Sequence, residues 1–274
     1  MDVSGKTKIV GIFGNPIEHT LSPVMHNSAF KTLGLDMCYI PFRVLPEDLP
    51  SAVRAIPSLN LTGVNITVPH KERVMTLLDV IDEEAAFIGA VNTVVNTGGK
   101  LKGYNTDGRG FMSSLSEFGI STEGKDILII GAGGASRAIS YYLSEKASRL
   151  ILYDIDMQKA GKLTADLQKI RSNIYLAERI DADISAHIII NATPLGLKKD
   201  DPLPLHPDII SSGMTVCDLV YKRTMLLQEA DKKGARTLDG SGMLLWQGVL
   251  AFELWTGVKP PVDVMRKALL SKIR

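Results

Sequence analysis

Four apolar runs in the second half of the chain constrain its fold most: DILIIG (126–131), RLILYD (149–154), HIIINAT (187–193) and MTVCDLV (214–220). They are rich in β-branched residues and do not alternate with polar ones. Such runs are buried on both faces, as strands of a parallel sheet covered by helices are. Helical stretches separate the four. The pattern predicts a Rossmann-type, doubly wound domain over 119–241, entered through the turn-rich segment GISTEG (119–124).

The first part of the chain predicts a second α/β domain, residues 1–118, with a largely parallel sheet. KIVGIFG (8–14), CYIPFRV (38–44) and GVNITV (63–68) read as strands. SPVMHNSAFKTLG (22–34) reads as a helix with Ser22 as N-cap, Pro23 in the first turn and Gly34 at the end. ERVMTLLDVI (72–81) carries apolar residues at helical spacing. VNTVVN (91–96) and the residues after Gly98-Gly99 form a hairpin, and a helix runs from near Asp107 to about Phe118. Residues 242–274 read as two helices that pack back on this first domain. The expected architecture is two α/β domains flanking a cleft.

Two polar motifs interrupt these apolar stretches, GVNITVPHK (63–71) and GYNTDGRG (103–110), with AVNT (90–93) between them. Asn65, Thr67, Lys71, Asn92, Thr106 and Asp107 place amides, hydroxyls, an ammonium and a carboxylate at strand ends. A core has no use for that set, whereas a small polyhydroxylated substrate would use all of it. His26, one turn into its helix, reads as a helix-face residue and Trp246 as core.

Gly131 ends a strand in GAGGASR, and a helix follows. Gly131 permits a tight turn, and Gly133 allows close backbone approach to a pyrophosphate, whose charge suits a helix N-terminus. Ser136 stands at the third glycine position of the dinucleotide fingerprint. Asp154, at the end of the next strand, is the acid expected for a ribose.

Composition narrows the partners. The 274 residues carry a net charge of +1 with acids and bases interspersed, so no basic stripe suggests nucleic acid. No run of apolar residues reaches the ~20 that a membrane helix needs, and the N-terminus lacks a signal-peptide pattern. Cys38 and Cys217 are far apart and without metal-ligand spacing, so they read as reduced, buried thiols in a cytoplasmic protein with no metal site.

In order, GNPIEHTLSPVMHN (14–27), GVNITVPHK, AVNT, GYNTDG, GAGGASR, NATPLG (191–196), CDLVY (217–221) and DGSGMLLWQG (239–248) resemble the shikimate dehydrogenase family over essentially the whole chain. The resemblance implies reversible, nicotinamide-dependent reduction of 3-dehydroshikimate to shikimate, on the route to aromatic amino acids. It implies a catalytic pair at Lys71 and Asp107. It implies substrate contacts at Thr20, Ser22, Asn65, Thr67, Asn92, Tyr221 and Gln247. The cofactor would lie on Gly131, Ala132, Gly133, Gly134 and Ala135, with Asp154, Thr193 and Gly242 nearby. A homodimer is compatible with it.

Two departures from the family pattern stand out. Thr20 replaces a frequent serine. Asp154, Ile155 and Asp156 replace the Asn-Arg-Thr segment typical of NADP-using members, which favours NAD or use of both cofactors over the family default of NADP. A quinate or dual quinate/shikimate dehydrogenase is the neighbouring alternative. A non-catalytic, ligand-sensing regulator on the same fold is a distant one, disfavoured by the presence of both Lys71 and Asp107.

Overall fold

The computed structural model describes residues 3–181 and 184–273. The chain forms two compact units, Met1–Gly110 with Leu245–Arg274, and Phe111–Leu244.

The first unit contains β1 (Lys8–Gly14), α1 (Ser22–Leu33), β2 (Met37–Arg43), α2 (Leu49–Ser58), β3 (Gly63–Ile66), β4 (Val80–Ile81), α3 (Glu83–Ile88), β5 (Thr93–Thr97), β6 (Lys100–Tyr104) and the first turn of α4 (Asp107–Glu117). Its sheet runs β2-β1-β3-β5-β6-β4. β1 pairs in parallel with β2 and β3, and β4 with β6; the β5–β6 hairpin and its pairing with β3 are antiparallel. Gly98 and Gly99 turn the hairpin with φ of 61° and 91°, a region that glycine enters without steric cost.

Two local expectations need correction. Residues 72–81 are not one helix: a 3-10 stretch at Arg73–Leu77 leads into β4. The cause lies at Asp79, whose N–H donates to the Leu101 carbonyl while its carboxylate accepts from Leu101 N–H, drawing the chain onto the sheet edge. Ser22 is not the N-cap of α1. Leu21 holds that position, and no side chain caps the helix. Gly34 ends α1 in the left-handed conformation, with φ of 64°.

The second unit continues α4 and adds β7 (Asp126–Ile130), α5 (Gly134–Lys146), β8 (Arg149–Tyr153), α6 (Met157–Gln168), β9 (Ile174–Leu176), β10 (Ile188–Asn191), β11 (Thr215–Asp218), α7 (Met225–Lys232) and β12 (Arg236–Leu238). All of its strand pairings are parallel, in the order β9-β8-β7-β10-β11-β12. Numbered within the unit, that order is 3-2-1-4-5-6, the Rossmann arrangement. Segment 119–124 is the turn between α4 and β7 inside this unit. Cys217 is buried, which pushes its thiol up to about 12, whereas Cys38 is only partly buried.

Helix α8 (Ser241–Thr256) carries the chain back to the first unit, and α9 (Val262–Leu270) packs on α1. Trp255 on α8 donates its indole N–H to the Val94 carbonyl at 3.0 Å. Between these helices and the sheet lies an aromatic cluster centred on His26. Its ring stacks parallel to Tyr39, centroids 4.5 Å apart, and is flanked by Phe30, Phe252 and Trp255. His26 is fully buried, and neither ring nitrogen has a hydrogen-bond partner among the described residues.

Burial holds the His26 pKa down to about 3 in the folded state. Unfolded, the ring would take a proton near the ordinary value of about 6.5. Below that pH the unfolded chain therefore binds a proton that the folded chain does not, and stability falls as pH falls until about pH 3. From pH 6.5 to pH 5 the loss from this group is expected to be about 2 kcal/mol. Urea unfolding at the two pH values should show that slope in the parent and a flatter one in His26→Leu; equal slopes would remove His26 as its source.

Candidate active site

Lys71 and Asp107 meet in the first unit. Lys71 follows the end of β3, and Asp107 is the first residue of α4. The Lys71 ammonium donates to Asp107 Oδ2 at 2.6 Å. The other carboxylate oxygen, Oδ1, accepts from Asn92 Nδ2 at 2.8 Å. Asp107 is buried, while Lys71 keeps 25% of its side chain exposed. With both oxygens accepting hydrogen bonds, Asp107 is held as an oriented acceptor. An ammonium has three N–H donors, so the bond to Asp107 leaves two for a ligand.

Asn105 accounts for the placement of Asp107. Its Oδ1 accepts from Asp107 N–H at 3.0 Å, and its amide donates to the Ala90 carbonyl, so Asn105 shapes the start of α4 and frees the Asp107 carboxylate for Lys71. Asn92 is buried with its amide fully engaged. Nδ2 donates to Thr106 Oγ1 and Asp107, and Oδ1 accepts from Thr93 and from Thr106 N–H.

Asn65 is equally engaged. Its Nδ2 donates to the Asn92 carbonyl and to Thr93 Oγ1, and its Oδ1 accepts from the Tyr39 hydroxyl at 2.7 Å. Burial raises the Tyr39 phenol above the ordinary range. A continuous hydrogen-bonded path thus runs from Tyr39 through Asn65, Thr93 and Asn92 to Asp107 and Lys71.

Tyr39, Thr93 and Asn105 were missing from the residues expected on sequence. Tyr39 and Thr93 lie in strands where an aromatic or β-branched residue reads as core. Asn105 had a visible signal, an Asx residue two positions before Asp107.

The remaining expected contacts in this unit lie nearby in the fold. Thr20 is half-buried, and its Oγ1 accepts from Ser22 N–H at 3.4 Å. Thr67 follows β3 with its methyl against Gly14, where a Cβ would lie 2.4 Å from it. Gln247 on α8 crosses α4 at Gly110, whose Cβ would lie 2.7 Å from the Gln247 backbone nitrogen. This sets Gln247 one turn from Asp107.

The dinucleotide turn lies in the second unit. Gly131 has φ of 108°, and a Cβ there would sit 2.9 Å from the Ala192 backbone and 3.1 Å from Thr193 Cγ2. Glycine is therefore required by both conformation and space. Thr193 lies against this turn, at the crevice where the strand order reverses between β7 and β10. Gly133 caps α5, and the Cβ positions of Gly133 and Gly134 face open space, as backbone that must approach a pyrophosphate requires. Ala132 and Ala135 complete the turn. These residues fit a dinucleotide.

Asp154 accepts from Ala132 N–H at 2.7 Å and from Asp156 N–H at 2.8 Å. Asp156 caps α6 through Lys159 N–H and pairs with the Lys159 ammonium at 3.3 Å, contacts that lower its pKa. Ile155 is 91% exposed. Gly242 is explained by packing, since a Cβ there would lie 2.1 Å from Ser114 Oγ. Tyr221 follows β11 on an exposed loop.

The model of the shikimate dehydrogenase substrate-binding domain matches residues 12–94, and that of the shikimate 5'-dehydrogenase C-terminal domain matches residues 240–270. A shikimate dehydrogenase (NADP(+)) of Carboxydothermus hydrogenoformans is 44% identical over 98% of this chain and 99% of its own. A crystal structure of a shikimate dehydrogenase in complex with NADP+ superposes with a TM-score of 0.95 at 39% identity, covering 100% of this chain and 98% of that one. The shikimate 5-dehydrogenase of Listeria monocytogenes, solved with shikimate and NAD, gives a TM-score of 0.89 at 35% identity, covering 97% and 98%.

Proposed function

Because the chain belongs to the shikimate dehydrogenase family, and so to the oxidoreductases, we propose that it interconverts shikimate and 3-dehydroshikimate, the first unit holding the substrate and the second a nicotinamide dinucleotide. The observation that carries the proposal is the Lys71–Asp107 pair, oriented by Asn92.

The bound dinucleotide would supply or accept the hydride at the carbon bearing the reacting oxygen. During reduction, charge grows on that oxygen. One of the Lys71 N–H groups not bonded to Asp107 would stabilise the charge and deliver the proton, so one hydride and one proton are added in total. In the reverse direction Lys71 takes the proton back. Asp107 keeps the ammonium in place and accepts from a substrate hydroxyl. Asn65, with its amide engaged inside the protein, acts by holding Asn92 and Thr93, while Thr67 and Gln247 supply further polar contacts.

The uncapped N-terminus of α1 offers N–H groups to a carboxylate, beside the hydroxyls of Thr20 and Ser22. Tyr221, in the second unit, keeps the substrate-contact role that the resemblance implies. The free thiols Cys38 and Cys217 fit work in a reducing cytoplasm.

For the cofactor, residue chemistry departs from the NADP in the name of the Carboxydothermus relative. The ribose phosphate of NADP would meet Asp154 and Asp156, with Lys159 already paired and Ile155 in place of a cation. Like charges ~4 Å apart repel by roughly 4 kcal/mol at an effective dielectric of about 20, and by less when solvated. Asp154 instead suits the hydroxyls of an unphosphorylated ribose. The expected result is NAD use, or tolerance of both, over strict NADP use.

Shikimate oxidation assayed with each cofactor tests both statements. The absence of shikimate oxidation with either would sink the function, and a kcat/KM favouring NADP by about tenfold or more, worth 1.4 kcal/mol, would sink the cofactor assignment.

A further inference from the structure

We infer that Asp218 is a positioning residue: one buried carboxylate ties the segments after β10 and β11 together and so sets where Thr193 and Tyr221 stand. The inference rests on the roles given to those two residues above.

Asn191 and Asp218 are the last residues of β10 and β11 and lie opposite each other in the parallel ladder. Each ends an otherwise apolar run, and both are buried. Asp218 Oδ1 accepts from Asn191 Nδ2 and from Val220 N–H, both at 3.0 Å, and Oδ2 accepts from Thr224 Oγ1 at 2.6 Å. Asp218 has no ion pair among the described residues. A buried carboxylate without a cation is costly, so a fold that needed only stability would favour an apolar residue.

The partners of Asp218 lead to the proposed site by two routes. Asn191 Oδ1 accepts from Thr193 Oγ1 at 2.6 Å and from Thr193 N–H at 3.1 Å, and Asn191 Nδ2 also donates to the Leu195 carbonyl. Thr193 in turn lies against Gly131 of the dinucleotide turn. On the other side, Val220 and Thr224 bracket Tyr221. The two segments also touch at Gly196, where φ is 100° and a Cβ would lie 2.9 Å from Thr224 Cγ2.

Asparagine can keep two of these bonds and reverse the polarity of the third. Its carbonyl can replace Oδ1 and accept from Asn191 and Val220, and its NH2 can donate to Thr224 Oγ1. Alanine leaves all three donors without their acceptor.

The test uses the 274-residue chain and reads shikimate oxidation, the dissociation constant of the binary complex with NAD+ or NADP+, and thermal unfolding. Asp218→Ala is expected to lower kcat/KM by about 100-fold and to weaken the binary complex by about tenfold, because displacement near the reacting groups is costly. Asp218→Asn should restore both to within about threefold of the parent. A folded alanine variant within about twofold of the parent in both quantities would overturn the inference. An asparagine variant as impaired as alanine would overturn it too, since charge and not the bonding pattern would then matter. If alanine prevents folding, Thr224→Val removes one arm, together with the Thr224 cap of α7: the shikimate KM should rise with the dinucleotide constant unchanged, and no change in either quantity overturns the inference. A parent that binds dinucleotide but does not oxidise shikimate would defeat the function proposed above, while the binding constants still decide the role of Asp218.

Discussion

Lys71→Ala is expected to lower turnover by ~10²–10⁴-fold, the range for removing a general acid or base. The substitution takes away the group proposed to neutralise charge on the reacting oxygen and to carry its proton. It also leaves Asp107 without its 2.6 Å partner, although Asn92 still orients the carboxylate. Substrate affinity should change less than turnover, because much of the proposed recognition lies elsewhere, at the α1 N-terminus and the surrounding hydroxyls. Steady-state kinetics with circular dichroism as a fold check decide the matter. A folded variant with turnover within a few-fold of the parent would take Lys71 out of the mechanism.

An analogue of shikimate lacking the ring hydroxyl on the carbon next to the reacting one is expected to lose ~10⁴–10⁵ in kcat/KM, as sites built to bond a hydroxyl reject its absence. The penalty arises because Lys71 and Asp107 become desolvated without gaining a partner. Asn92, Asn65 and Thr93 are committed to one another, so the network has little freedom to turn a substitute donor or acceptor toward the gap. Comparable kcat/KM for analogue and shikimate would show that the network positions the Lys71–Asp107 pair without reading the substrate.

The Rossmann sheet of the second unit was readable in the sequence because its strands are buried on both faces, which leaves long unalternated runs such as HIIINAT. The mixed sheet of the first unit was less legible. β4 has two residues, too short to print a period, and its apolar residues sit at helical spacing with the preceding 3-10 stretch. The site shows the same division. Lys71, Asn92 and Asp107 lie in polar motifs that interrupt apolar sequence. Tyr39 lies in a strand where an aromatic residue needs no explanation, and only its hydroxyl bond to Asn65 distinguishes it. Asp218 is hidden in a similar way: a single acid at a strand end reads as a loop residue until its three donors are seen.

The return of α8 and α9 to the first unit bears on the order in which the chain matures during synthesis. Residues 111–244 form a contiguous unit whose sheet needs nothing downstream of itself. The unit built from the first 110 residues is different. Its Val94 carbonyl waits for the Trp255 indole, α1 waits for α9, and the ring of His26 waits for Phe252. Domains tend to fold as they leave the ribosome, N-terminal first. Here the later-made second unit can complete its core first, and the earlier-made unit stays open until α8 and α9 emerge. The Lys71–Asp107 pair, although encoded in the first 110 residues, thus gains its finished surroundings only once α8 and α9 have been made.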